Sequence, residues 1–150
     1  MVKYIKVQRR KNKGEKIIMK VLTIRQPWAT LIVEGYKRFE FRSWKTNYRG
    51  DILIHAGKGI DKEAMERLKK YLPNDIPLGK IIGQATITDC IPMSEEFADM
   101  LYKENNDIYT THSFSRNYGF KLENVKKIEA PIEVKGQLGL WNYEKQVDIK

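Results

Sequence analysis

The sequence predicts an α+β fold: a small, partly open β-barrel with helices packed at its ends. Three observations predict it. Five to seven short β-branched or alternating stretches are punctuated by Gly and Pro. Helical stretches are inserted among them without the regular β–α alternation of a parallel fold. A chain of 150 residues is long enough for one core that buries about two thirds of its unfolded surface, and too short to favour a second.

The elements follow in chain order. "MKVLTIRQ", 19–26, is rich in β-branched and apolar residues and reads as a strand. "QPWATLIVEG" reads as a short helix, because Pro27 at its first position loses no needed N–H and Gly35 stands just past its end. "KRFEFRSW" alternates, Phe39 and Phe41 on one face and Arg38, Glu40 and Arg42 on the other, as a half-buried strand does. "YRGDILIHAG" is a further strand. "DKEAMERLKKYLP" is a helix capped by Asp61, with Ala64, Leu68 and Leu72 at helical spacing. "LGKIIGQATITDC" is a long strand, after which Ser94 caps a helix whose apolar stripe is Phe97, Met100 and Leu101. "YGFKLENVKKIEAPIEV" and "QLGLWNY" close the chain as strands.

Composition removes several function classes. No apolar run approaches the roughly 20 residues of a membrane-spanning helix, and Ile17-Ile18-Met19 is too short for a secretory signal. The single Cys90 forms no internal disulfide, which makes a reducing, cytoplasmic setting the expectation. His55 and His112 stand too far apart to form a zinc knuckle with it, so neither metal nor other cofactor is expected.

The formal charge of +9 is uneven: residues 1–18 carry a net +6, residues 19–60 a net +5 and the remainder a net −2. The first 18 residues show no helical or strand period and read as a disordered basic extension, ahead of a domain over 19–145 and a short tail over 146–150. Lys13-Gly14-Glu15 is also encodable by a stretch containing AAGGAG, a ribosome-binding sequence, three codons before Met19. Met19 is therefore expected to be the natural start in a bacterial or phage setting. A chain from Met19 carries +3 rather than +9, which weakens bulk charge as an argument for a polyanion partner.

From "TIRQPWATLIVEGYKRFEFRSW" onward the chain resembles the ASCH family, whose signature is Gly-x-Lys-x-x-Glu-x-Arg; Gly35, Lys37, Glu40 and Arg42 fill its four places. The resemblance continues through "YRGDILIHAGK", "PLGKIIGQATITDC" and "YGFKLENVKKIEAPIEVKGQLGLW", about Met19 to Tyr143. It implies a PUA-like barrel, a cleft lined by the signature residues, and a role around RNA or modified nucleosides.

Each candidate has a plain structural reading beside its functional one. Glu40 and Arg42 are either a same-face surface pair worth at most ~1 kcal/mol, or a carboxylate held by a guanidinium to accept a bond from a base edge or act as general base. Lys37 lies an odd number of residues from Glu40, so the two converge only if Lys37 stands in the turn after Gly35 or a bulge intervenes. Trp28 is either a core anchor or part of an anion site at a helix start, with Arg25 and Gln26 facing phosphate or base. Trp44 and Tyr48 either stack a base, worth ~1–3 kcal/mol each, or cover the barrel end. His55 and Lys58 match a family block, although no Walker spacing accompanies Gly57-Lys58-Gly59. Cys90 and Trp141 read as packed residues.

Two function classes stay open. One is a binding module for RNA or a modified nucleoside, through Arg25, Gln26, Trp28, Lys37, Glu40, Arg42, Trp44, His55 and Lys58. The other is a small hydrolase acting on acylated nucleosides or RNA, with Lys37 and Glu40 catalytic. Relatives in the wider family that deacylate acetylated cytidine use Lys-x-x-Thr and a later Glu. Here the Thr place holds Glu40, and Glu96 and Asp99 are the candidates for the third group.

Overall fold

The computed structural model describes residues 6–9, 15–110 and 118–147. The strands are β1 (Lys6–Arg9), β2 (Glu15–Gln26), β3 (Phe39–Arg42), β4 (Gly50–Ile60), β5 (Lys80–Pro92), β6 (Tyr118–Glu133) and β7 (Leu140–Val147). The helices are α1 (Trp28–Val33), α2 (Lys62–Arg67) and α3 (Glu95–Glu104). A mixed sheet runs β1-β2-β4-β5-β6-β3, with β7 also paired to β2. β2 and β4 are parallel, and a parallel pair needs a long crossover; α1 and β3 supply it.

The central strands are buried on both faces, which is why they read as near-continuous apolar runs. Leu22, Ile24, Ile52 and Ile54 join Ala29, Ile32 and Phe120 in one cluster. Met19, Val21 and Leu53, on the opposite face, pack with Ile81 and Trp141. A third cluster lies among α1, β3, α2 and α3 and is built from Leu31, Phe39, Phe41, Leu68, Phe97, Leu101 and Tyr109. Asp61 and Ser94 cap α2 and α3 by accepting from the amides of Ala64 and Phe97.

Several expectations are corrected. The sheet, expected as a partly open barrel, is not closed: among the described residues no ladder joins β3 to the other end of the sheet. The extension is not wholly irregular. Lys6–Arg9 and Glu15–Ile18 pair as a hairpin, and Glu15 and Lys16 pair with Val147 and Gln146 of the expected tail. Remote pairing orders residues whose local pattern carries no period; residues 1–5, 10–14 and 148–150 lie outside the described residues. The helix expected over 61–73 ends at Arg67 and continues as a 3₁₀ turn at Lys69–Tyr71. Met100, placed on the apolar stripe of α3, is 54% exposed, since α3 is short and rests on Phe97 and Leu101 alone. β3 is buried on both faces, with Glu40 only 8% exposed. His112, named in the zinc argument, lies outside the described residues.

Candidate functional site

Lys37, Glu40 and Arg42 meet. After α1 the chain turns at Gly35, whose φ of +89° suits a residue without a Cβ. The amides of Tyr36 and Lys37 both bond the Leu31 carbonyl. The turn sends the Lys37 side chain back along β3, the first of the two routes by which its odd spacing from Glu40 permits convergence. Lys37 Nζ donates to Glu40 Oε1 at 3.1 Å and also to the carbonyl of Phe39. It lies 4.8 Å from the Phe41 ring centroid and 5.6 Å from that of Trp28, favourable places for a desolvated cation.

On the other side of the carboxylate, Arg42 donates to Glu40 Oε2 from Nε at 3.2 Å and from Nη2 at 2.9 Å. Nη2 also reaches the carbonyl of Thr23 at 2.6 Å. The Phe41 amide donates to Glu40 Oε1 at 3.2 Å. A carboxylate offers about four lone-pair sites, and these bonds occupy all of them. Burial pushes the Glu40 carboxyl up, but the charges and hydrogen bonds of Lys37 and Arg42 outweigh it and hold the group below its ordinary range. Glu40 is thus an ionised acceptor with no vacancy, a poor general base and a firm support for two cations. Two cations against one carboxylate leave the group with a net positive charge.

The other candidates divide. Trp28 is half-buried and packs against two of the clusters, beside Lys37. Trp44 is half-buried, edge-on to Phe120 at 5.1 Å. Tyr48 donates to the carbonyl of Asp51. Gln26 is fully buried and fully used: Oε1 accepts from the Thr30 amide, and Nε2 donates to Thr30 Oγ1 and the Pro77 carbonyl. It fills the start of α1 in place of an anion. Arg25 is exposed and donates to the Ile60 carbonyl. Lys58 is exposed on an irregular stretch of β4, its side chain lying across Gly79. Glu96 and Asp99 lie on the outer side of α3, away from the buried Phe97 and Leu101, and are not brought to the carboxylate.

His55 is 1% exposed on the face of β4 that carries Leu53. Its Nε2 donates to the Val134 carbonyl at 2.6 Å, its ring meets Trp141 edge-on at 5.8 Å, and its Nδ1 has no partner among the described residues. Burial pushes its pKa down, against the raising effect of the Val134 bond. It is a neutral packed histidine. A depression of about 500 Å³ lies between the Gly35–Arg38 turn and Leu122–Val125 of β6, floored by Ile32. Among the described residues no three His, Cys, Asp or Glu gather as metal ligands, and no helix is long and apolar enough to cross a membrane.

Two contributors carry no signal in the sequence. Thr23 supplies a backbone carbonyl, which any residue possesses. Tyr109 is buried in the α1–β3 cluster, accepts from the Arg38 amide at 2.7 Å, and is pushed up to about 12, chiefly by burial; nothing in its neighbourhood of the sequence ties it to β3.

The model of the ASCH domain matches residues 22–136. The chain belongs to the ASCH domain family. Activating signal cointegrator 1 of Homo sapiens is 28% identical over 140 residues, covering 84% of this chain and 22% of that protein; its Mus musculus counterpart is 27% identical over the same coverage. The chain therefore spans about a fifth of the curated relatives it matches. Among solved structures, ASCH from Zymomonas mobilis has a TM-score of 0.50 at 18% identity, covering 76% of this chain and 72% of that one. A serine-to-alanine mutant of the same Zymomonas mobilis protein has a TM-score of 0.51 at 17% identity, covering 77% and 73%. These structures share the ASCH fold with this chain.

Proposed function

We propose that this ASCH domain is a binding module for RNA or a modified nucleoside, and that the Lys37–Glu40–Arg42 cluster is its recognition centre. One observation carries the reading: a buried carboxylate with every acceptor position filled fixes two cations and leaves them one positive charge in excess. Such a group attracts a phosphoryl or carbonyl oxygen more strongly than the same charges would in water. Arg42 is the contact residue. Its side chain is 20% exposed, and its Nη1 makes no bond among the described residues. Glu40 is a positioning residue, and Trp28 and Trp44 are the aromatic flanks. Arg25 and Lys58 are outlying cations for a backbone that runs past the centre.

The filled carboxylate favours binding over hydrolysis, since a general base needs a lone pair for the incoming proton. The test is equilibrium binding and turnover with short RNAs and acylated nucleosides, using wild type, Arg42→Ala and Glu40→Gln. The expected result is salt-dependent binding without turnover, weakened roughly tenfold or more in Arg42→Ala, the loss typical of a charge-assisted bond. Turnover abolished by Glu40→Gln would replace the module with a hydrolase. Absence of both binding and turnover would remove the reading.

A further inference from the structure

We infer that Lys37, Glu40 and Arg42 are also a latch: their side chains stand in for the missing hydrogen-bonded ladder between β3 and β2 and fasten the seam at which the sheet fails to close.

The directions of the backbone groups carry this. β3 pairs antiparallel with β6, with Glu40 opposite Phe120 and Phe41 opposite Gly119. Continuing that register, the Leu122 amide bonds the Arg38 carbonyl. Hydrogen-bonded pairs alternate along an antiparallel ladder, so the Arg38 carbonyl and the backbone groups of Glu40 and Arg42 face β6, whereas Phe39 and Phe41 direct theirs to the free edge. Two of those outward groups are met by the signature itself: Lys37 Nζ donates to the Phe39 carbonyl, and Glu40 Oε1 accepts from the Phe41 amide.

β2 shows the complementary edge. Its Gln26 carbonyl accepts from the Asp61 amide, next to the end of β4, so even-numbered residues of β2 address β4 and odd-numbered ones address the opposite edge. β7 covers that opposite edge only as far as Leu22, paired with Leu140. Thr23 is the first odd residue beyond the end of β7, and Arg42 Nη2 holds its carbonyl. Three backbone groups that a closed barrel would pair across this seam, the Phe39 and Thr23 carbonyls and the Phe41 amide, are thus satisfied by three side chains. Gly35 sets Lys37 at the start of this row, and the spacing of Glu40 and Arg42 follows from the two-residue period of the strand.

Amide hydrogen exchange by NMR tests the latch without any ligand, so it can fail while the binding proposal stands, and the reverse. In wild type the Phe41 amide, on an edge with no neighbouring strand, is expected to exchange far more slowly than an unprotected amide, close to its β6-paired neighbours. In Glu40→Gln and Arg42→Met, exchange at Phe41 and at the Thr23–Arg25 edge of β2 is expected to quicken about fivefold or more, the equivalent of one bond of ordinary strength, relative to amides between β4 and β5. A wild-type Phe41 amide exchanging at the unprotected rate would overturn the latch, and this measurement decides even if neither variant folds. Equal quickening at the seam and in the β4–β5 ladder would overturn it as well.

Discussion

Glu40 and His55 are both buried, and both tie stability to pH, in separate windows. The folded Glu40 carboxyl is held below its ordinary value of 4.5 by Lys37 and Arg42 despite burial. A depressed folded pKa gives stability that is complete above the unfolded value and is lost as pH falls through the folded one. The Glu40 contribution therefore holds above about 4.5 and decays below it. His55 obeys the same sign, because burial lowers it from 6.5: the unfolded chain binds the proton first, and stability begins to fall below about 6.5. Urea unfolding measured across pH should show two successive acid losses. His55→Gln is expected to flatten the upper one and Glu40→Gln the lower one. Glu40→Gln should also lower stability near neutral pH by about 3 kcal/mol, because the buried Lys37 and the part-buried Arg42 lose their anion. An unchanged acid limb in Glu40→Gln would mean that the carboxylate is not the group paired in the folded state.

At the scale of elements, α1 is fixed by one close approach. Val33 lies directly over β5 at Gly83, where an added Cβ would stand 2.5 Å from Val33 Cγ1 and 2.8 Å from the Lys126 carbonyl. A backbone oxygen cannot swing aside as a side-chain tip can, so Gly83→Ala is expected to cost about 1–3 kcal/mol by overpacking. Gly35→Ala meets nothing within 4 Å and suffers only from its positive φ, about 1–2 kcal/mol. The two differ in kind: thermal unfolding should show both losses, but only Gly83→Ala should shift the NMR signals of Val33 and the β5–β6 ladder. The strands around Gly83 were legible because burial on both faces writes itself as an apolar run, as in "DILIH". The start and the cap of α2 were legible in Asp61, whereas its early end was not, since no breaker stands at Leu68. The Lys37–Glu40–Arg42 cluster was legible as residue types, and its convergence followed from Gly35. The saturation of Glu40 was not, because it depends in part on where β3 turns its own amides.

For the whole molecule, the decisive question is how the basic amino-terminal segment relates to the domain. Residues 1–18 hold net +6 of the total +9, yet no local pattern announces the hairpin that Lys6–Arg9 makes with Glu15–Ile18. That order comes from β7, which runs beside β2 back to Glu15 and joins the two ends of the chain, a pairing no window of sequence can contain. The main clusters begin at Met19, and of residues 16–18 Ile18 is the buried hydrophobic. A chain beginning at Met19 is therefore expected to fold with the same core and a modest loss, about 1–3 kcal/mol for one buried isoleucine and its ladder. If the domain binds RNA as proposed, the affinity of that shorter chain separates local from global electrostatics. If recognition lies at Arg42, truncation lowers affinity at low salt through the lost field but leaves the slope of log K against log salt changed by less than about 1, whereas Arg42→Ala in the full chain reduces the slope by about 1. A slope that collapses on truncation and is indifferent to Arg42 would place the proposed nucleic-acid contact on the extension rather than at Arg42.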